Sequence, residues 1–423
     1  MRPPRLGMIA GAVALGALNL AGSAATIHVP SEFETIQEAI SNAGTLDGDV
    51  IVVQAATYIE NINFFGKAIT LQSTDPSDAQ VVASTVIDGG GLDSTVICNS
   101  GEGPGTVLKG FTITNGFAKV GGGMFNFLSS PTVIGCDFIN NTAEFGGGYS
   151  GNVASDPTIL NCRFLGNTAV QGGGVYVSSS SAPLLANCSF GGNDASEGGA
   201  IIVCGGDPTV VNCTFGDNTA LTAGGGIYVC SGGPVLSNCI VWGNTPDQLF
   251  QEVPAANVTY SDVQGGFAGT GNIDADPWYV FANGDDLLPG TADDNRSLSV
   301  NSPCIDAGNN LAVPPDTVDL DADGDTAEAI PLDLAADPRF IDDPLTADSG
   351  NPDGIHPIVD MGAREFKLLT CQADCVDGDG VVGIADFLSL LSEWGSPGYC
   401  DLDGGGVGLG DFLQLLNDWG PCP

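Results

Sequence analysis

Three stretches of the sequence space carboxylates as a hard divalent cation would require. In Asp319-x-Asp321-x-Asp323-Gly324-Asp325 the acids fall on alternate residues, the first half of a twelve-residue calcium loop, with Gly324 where such a loop turns sharply. Ile330 stands where the twelfth-position Glu would be, so a solvated acidic turn is the competing expectation. In the second stretch, counted back from Asp386 as twelfth position, Asp379 falls fifth, Asp377 third and Cys375 first. The third runs from Asp401-Leu402-Asp403-Gly404 to Asp411, one residue shorter, with Gly404 or Gly405 in place of the fifth-position Asp. Calcium is expected in the 377–386 loop ahead of the 401–411 loop, and 319–325 is a further candidate.

Acid–base chemistry is harder to find. Between the N-terminal region and residue 270 the cations are Lys67, Lys109, Lys119 and Arg163, and none is expected to align with a column of carboxylates. Asp137, Asp194 and Asp217 fall at different places in the repeat described below and read as solvated turns. His28 and His356 read as surface or capping residues rather than bases. No residue is assigned a catalytic role on this basis.

The elements that must hold these residues are repetitive. Pro131, Pro157, Pro183, Pro208 and Pro234 recur at spacings of 26, 26, 25 and 26. Cys136, Cys162, Cys188, Cys213 and Cys239 keep those spacings, as do Asn141, Asn167, Asn193, Asn218 and Asn244. Glycine clusters at 121–123, 146–148, 172–174, 198–199 and 224–226 lie between the blocks. A period in the mid-twenties with short β runs is a solenoid signature, and no coil holds a helical period. The expected fold is all-β, a right-handed parallel β-helix, with a small α-helical duplicated module at the C-terminus.

Within a coil, Ile159, Cys162 and Phe164 have apolar counterparts in the other coils, while the places of Leu160 and Arg163 vary. Two strands must meet at a bend whose second residue is Gly135, Asn161, Asn187, Asn212 or Asn238, the residue types that tolerate positive φ. The alternative for that column, a row of substrate-binding amides, is the weaker reading. The cysteine column is expected to be a buried ladder of reduced thiols, because in-register Cβ atoms on parallel strands suit a disulfide poorly. Phe138, Phe164, Phe190 and Phe215 form a second inward stack. Thr35-Ile36-Gln37-Glu38 opens a short helix that covers the N-terminal end with Ile36, Ala39 and Ile40.

Composition bounds the partners. Fifty-one acidic residues against ten Lys and Arg give a formal charge of −41, which excludes nucleic acid and disfavours unassisted binding of acidic polysaccharide. Arg2, Arg5, the apolar run 6–21 and the small residues 22–25 read as a bacterial secretory signal cut after Ala25, leaving no membrane span. The chain is expected at a bacterial cell surface or outside the cell.

The stretch from Ile27 to Leu71 resembles the opening of pectin-lyase-like proteins, pectinesterases included. Its matching residues are Thr35-Ile36-Gln37-Glu38-Ala39-Ile40, Gly48-Asp49, Tyr58-Ile59-Glu60-Asn61 and Lys67-Ala68-Ile69-Thr70-Leu71. The Cys-x-Phe-x-x-Asn and Gly-Gly-Gly blocks resemble repeats of polymorphic outer-membrane-type adhesins. Together these cover about residues 26–270, with an Asp/Pro-rich cover expected over 271–366. In residues 367–423, Asp386-Phe387-Leu388 through Trp394-Gly395 reappears as Asp411-Phe412-Leu413 through Trp419-Gly420. Leu388, Leu391 and Trp394, with Leu413, Leu416 and Trp419, line the faces of two helices expected to pack together. This tail resembles a cysteine-bearing dockerin. Cys371, Cys375, Cys400 and Cys422 are an even set with three possible connectivities, of which the pseudo-symmetry suggests Cys371 with Cys422 and Cys375 with Cys400.

The function expected is a non-catalytic binding or adhesion scaffold, with polysaccharide a possible ligand along the β-helix and the tail docking to a protein or envelope partner. The alternative is a carbohydrate-active enzyme, a polysaccharide lyase, glycoside hydrolase or pectinesterase, targeted by the tail.

Overall fold

The computed structural model describes residues 24–178, 180–253, 256–284 and 286–367, together with 381–392, 394, 407–409, 412, 415, 416, 420 and 421. Residues 1–23 of the expected leader lie outside these, as do Cys371, Cys375, Cys400, Cys422, Asp377, Asp379, Asp401, Asp403 and Asp411.

The five coils that begin with Val107–Lys109, Thr132–Ile134, Thr158–Leu160, Leu184–Ala186 and Thr209–Val211 each have four short strands, as in Thr132–Ile134, Asp137–Ile139, Thr142–Phe145 and Tyr149–Asn152. Repetition stacks them into parallel sheets of ten, nine, five and eight strands. The bends follow from residue type. Gly135, Asn161, Asn187, Asn212 and Asn238 all have φ between 50° and 57°, as the column expected at the first bend requires. A second bend puts Asn140, Gly166, Gly192, Asp217 and Gly243 at positive φ. The glycine clusters turn the five-stranded sheet into the eight-stranded one; a Cβ on Gly147 would meet the Gly173 carbonyl at 2.4 Å, so the corner admits no side chain.

The interior is a set of ladders. Cys136, Cys162, Cys188, Cys213 and Cys239 are free and fully buried, and burial pushes the Cys136 thiol up to about 12. Each thiol donates to the carbonyl two residues earlier, as Cys162 does to Leu160 at 3.2 Å. Phe138, Phe164, Phe190 and Phe215 stack with centroids 4.7–4.8 Å apart, nearly the strand spacing. Asn141, Asn167, Asn193, Asn218 and Asn244 form a buried amide ladder. Each of the first four donates its backbone N–H and Nδ2 to Oδ1 of the next, at 2.8–3.1 Å. One disulfide escaped the sequence reading: Cys204 bonds Cys230 one coil on, where the register between the two strands shifts, so the in-register objection does not apply there.

The N-terminal helix Ile36–Ser41 is capped by Thr35, which accepts from the Glu38 N–H at 3.1 Å, and it buries Ile36, Ala39 and Ile40. The Glu60 carboxylate takes the next two helix donors, Ile36 N–H and Gln37 N–H.

Residues 271–366 run along the flank of the solenoid. Their anchors are the turn asparagines: Asn161 and Asn187 donate to the Asp333 and Leu332 carbonyls, Asn212 to Asp360 and Asn238 to Asn309. The amide column is thus occupied by this strap, which removes the substrate-binding alternative. Leu160 and Ala186 point outward yet are buried, because Ile330 of the strap covers them.

In the tail, strand Val381–Val382 pairs antiparallel with Gly420–Pro421 and leads into helix Ile384–Ser392. The two copies meet through Phe387 and Phe412, whose ring centroids lie 6.0 Å apart, and Leu390 and Leu415 are buried. Of the residues expected on the facing sides, Leu388, Leu391 and Leu416 are exposed, Trp394 meets the Phe412 ring edge-on at 6.5 Å, and Leu413 and Trp419 lie outside the described residues.

Candidate functional site

On the eight-stranded sheet, alternation sends one column of residues outward beside the glycine corner: Phe125, Ser150, Tyr176, Ile202, Tyr228 and Phe250 are successive register partners. On the five-stranded sheet the outward row beside the glycine corner is Val120, Phe145, Gln171 and Glu197. The two rows face each other across that corner. Phe145 and Tyr176 meet edge to face at 5.2 Å, and a Cβ on Gly198 would lie 2.7 Å from Ile202. The result is an outer seam lined with aromatic rings across several coils, in which Phe145 and Tyr176 are half-buried and Ser150, Ile202 and Tyr228 are buried.

Polar groups converge at one end of it. The Tyr228 hydroxyl donates to Glu252 at 2.7 Å, and Gln171 donates to Glu197 at 2.7 Å. Burial, then the hydrogen bond to Glu252, then the charges of Glu252 and Glu197 push Tyr228 up to about 12. Tyr228 therefore keeps its proton at neutral pH and works as a donor. Aromatic faces for sugar rings, an amide and two carboxylates beside a protonated hydroxyl form a set suited to binding a glycan and to acid–base work on it. The sequence signal was slight: Val175-Tyr176-Val177 and Ile227-Tyr228-Val229 share a column two coils apart, while Glu252 lies in an irregular coil.

The expected absence of a cation aligned with a carboxylate is corrected. Arg163 and Asp137 are register partners on adjacent strands, and Arg163 donates to both Asp137 oxygens at 2.6–2.7 Å. Asp137 is buried in a strand rather than solvated in a turn. A search for an acid repeated in every coil passes over opposite charges that occupy one column in successive coils. Arg296 of the strap likewise pairs with Asp217 at 3.1 Å and Asp294 at 2.9 Å. Gly191 and Gly216 make room for it, since a Cβ on either would touch its guanidinium. Asp194 is exposed. Both clusters clasp the strap to the nine-stranded sheet, where Arg163 also donates to the Ala292 carbonyl.

Among the proposed calcium ligands, the strap brings carboxylate oxygens of Asp319, Asp321 and Asp323 within 4.8 Å of one another. Asp325 lies outside that group and accepts from the Ala327 N–H. Gly324 has φ 91°, as the expected sharp turn requires. The sequence reading missed two acids: Asp316 and Glu328 form an overlapping group with Asp321, and one buried Glu328 oxygen has no hydrogen-bond partner. Burial and the neighbouring aspartates push Glu328 up. A hard cation fits this donor set. In the tail, Asp386 accepts from the Gly383 N–H at 2.8 Å. His356 Nδ1 lies 2.7 Å from Asp353 on the strap surface, and His28 is exposed.

Coils of short parallel strands stacked in register around inward ladders define a β-solenoid protein. The chain belongs to the right-handed β-helix family: the family described as "Right handed beta helix region" matches residues 50–215 and 96–262, together just over half of it. No curated protein matches the sequence. Among solved structures, the deglycosylated pectin methylesterase from Aspergillus niger is similar at 15% identity and TM-score 0.37, over 66% of this chain and 91% of that one. The carrot pectin methylesterase is similar at 13% and 0.36, over 60% and 85%. A pectate lyase is similar at 13% and 0.39, over 68% and 92%. These likenesses carry no statement about activity.

Proposed function

We propose that this chain is a carbohydrate-active β-helix protein that holds a polysaccharide along the seam between its five- and eight-stranded sheets. Glu197, Tyr228 and Glu252 are the groups placed to act on it. The observation that carries this reading is the aromatic row that includes Tyr228, whose hydroxyl is held by Glu252 with Glu197 alongside. The formal charge of −41 favours a neutral or esterified polysaccharide over a free polyuronate. Export through a cleaved leader, calcium in the 319–328 loop and docking through the C-terminal module belong to the same proposal. A secreted protein with its own targeting module would meet its substrate outside the cell.

A second reading, the non-catalytic scaffold, draws support from the clasps: Arg163 and Arg296 are bound to carboxylates under the strap and so are withdrawn from chemistry. One experiment separates the two. The full chain is incubated with neutral, esterified and acidic polysaccharides with calcium, and both co-sedimentation and product release are measured for wild type, Glu252→Gln and Tyr176→Ala. Release that disappears in Glu252→Gln while binding persists supports the enzyme. Binding without release supports the scaffold, and no binding to any polymer overturns the seam assignment.

A further inference from the structure

The strap contains a second convergence of acids, away from the 319–328 loop. In Ser302-Pro303-Cys304-Ile305-Asp306-Ala307-Gly308 every residue but Pro303 is buried, and the Asp306 side chain is fully so. Its backbone is held on both sides. The N–H donates to Asp360 Oδ1 at 2.8 Å, and the carbonyl accepts from the Ser349 and Gly350 N–H groups at 2.9 and 3.1 Å. φ is 50°, a left-handed conformation that Asp tolerates better than most residues. The side chain is thereby aimed at the loop that carries Asp342 and Asp348. One carboxylate oxygen from each of the three residues lies within 4.8 Å of the others, and both Asp306 oxygens lack any hydrogen-bond partner.

A buried carboxylate without a donor, facing two more carboxylates, is an arrangement that a folded protein retains only with compensation. The cation side chains offer none: among the described residues, no ion pair involves Asp306, Asp342 or Asp348.

We propose that Asp306, Asp342 and Asp348 form a divalent cation site, with calcium as its ion. The donors are all carboxylate oxygen, without the His or Cys that zinc would favour. Asp342 and Asp348 are exposed, which leaves room for water to complete the larger and less regular coordination shell of calcium. The bound ion would tie the 342–350 loop to the segment around Asp306. That segment is fixed to the solenoid by the Cys304 thiol donating to Asp262 and by Asn309 N–H donating to Asn238. The site is a staple between strap and β-helix, independent of what the seam binds.

The test uses the full chain and calcium alone. Equilibrium dialysis counts bound calcium for wild type, Asp306→Asn, Asp348→Asn and Asp321→Asn, and the melting temperature is read in chelator and in calcium. Asp306→Asn and Asp348→Asn are each expected to lose one equivalent and the matching part of the calcium-induced rise in Tm, while Asp321→Asn keeps that equivalent. Because Asp348 is exposed, its variant remains informative if Asp306→Asn does not fold. An unchanged count and an unchanged calcium response in Asp348→Asn would overturn the site.

Discussion

Arg339, fully buried in the strap, donates to the Asn187 side chain of the solenoid at 2.8 Å. Asn187 occupies the turn column whose positive φ shapes the coils, so one residue type serves both the local bend and the attachment of a segment about 150 residues further on. The same guanidinium pairs with Glu365 at 3.0 Å and donates to the Gly362 and Ala363 carbonyls. Arg339→Ala leaves a buried carboxylate and three acceptors without their donor, and a loss of about 3–5 kcal/mol is expected. Thermal and denaturant unfolding measure it; a loss below about 1 kcal/mol would show that the strap contributes little to stability.

The phenylalanine ladder makes a second prediction. Phe164 lies between Phe138 and Phe190 at 4.8 Å from each. Phe164→Ala opens a cavity between two rings and is expected to cost about 3–5 kcal/mol, and Phe164→Leu distinctly less. Equal costs for the two would mean that the rings on either side collapse to fill the gap.

Cysteine chemistry gives a third. Cys98, Cys136, Cys162, Cys188, Cys213, Cys239 and Cys304 are free and buried, and burial pushes the thiols of Cys98, Cys136, Cys162, Cys188, Cys239 and Cys304 above the ordinary range. A thiol reagent should label none of the seven in the native protein at pH 8 and all of them in denaturant. Rapid native labelling of any one would contradict its burial.

A pH dependence follows from Asp262, which is fully buried and pushed up to about 6, first by burial. With a folded pKa above the unfolded value of about 3.9, the native state binds more protons between the two. Stability from this group is therefore fully present below about pH 4 and lost as pH rises towards 6, by about 1–3 kcal/mol. Asp262→Asn is expected to flatten that slope in melting curves taken from pH 4 to 7. Asp306 and Asp360, also raised by burial, leave a residual slope of the same sign, so a slope of the opposite sign in wild type, or one undiminished in the variant, would assign the dependence elsewhere.

In the seam, Tyr176 is half-buried and meets Phe145 edge to face, so Tyr176→Ala should leave Tm within a few degrees. Its loss removes an aromatic face and should weaken polysaccharide binding about three- to tenfold. Tyr228→Phe keeps the ring and removes the donor to Glu252, and should reduce product release more than binding. Affinity gels and reducing-end assays read the two effects separately.

The sequence by itself determined whatever depends on local backbone preference repeated at one period. The coil length, the inward cysteine and phenylalanine columns, the left-handed Gly/Asn turn and the Thr35 cap are all set within a few residues of the position concerned, and all are found in the structure. Tertiary structure decided what each outer face meets. Asp137 found its cation one coil on, Leu160 was buried by Ile330, and Cys204 reached Cys230 through a register shift. The seam and the two strap acid clusters likewise join residues whose neighbours are fixed by stacking and by the path of the strap. Such partners leave no periodic trace, because a contact made once across many residues constrains two positions and repeats nowhere.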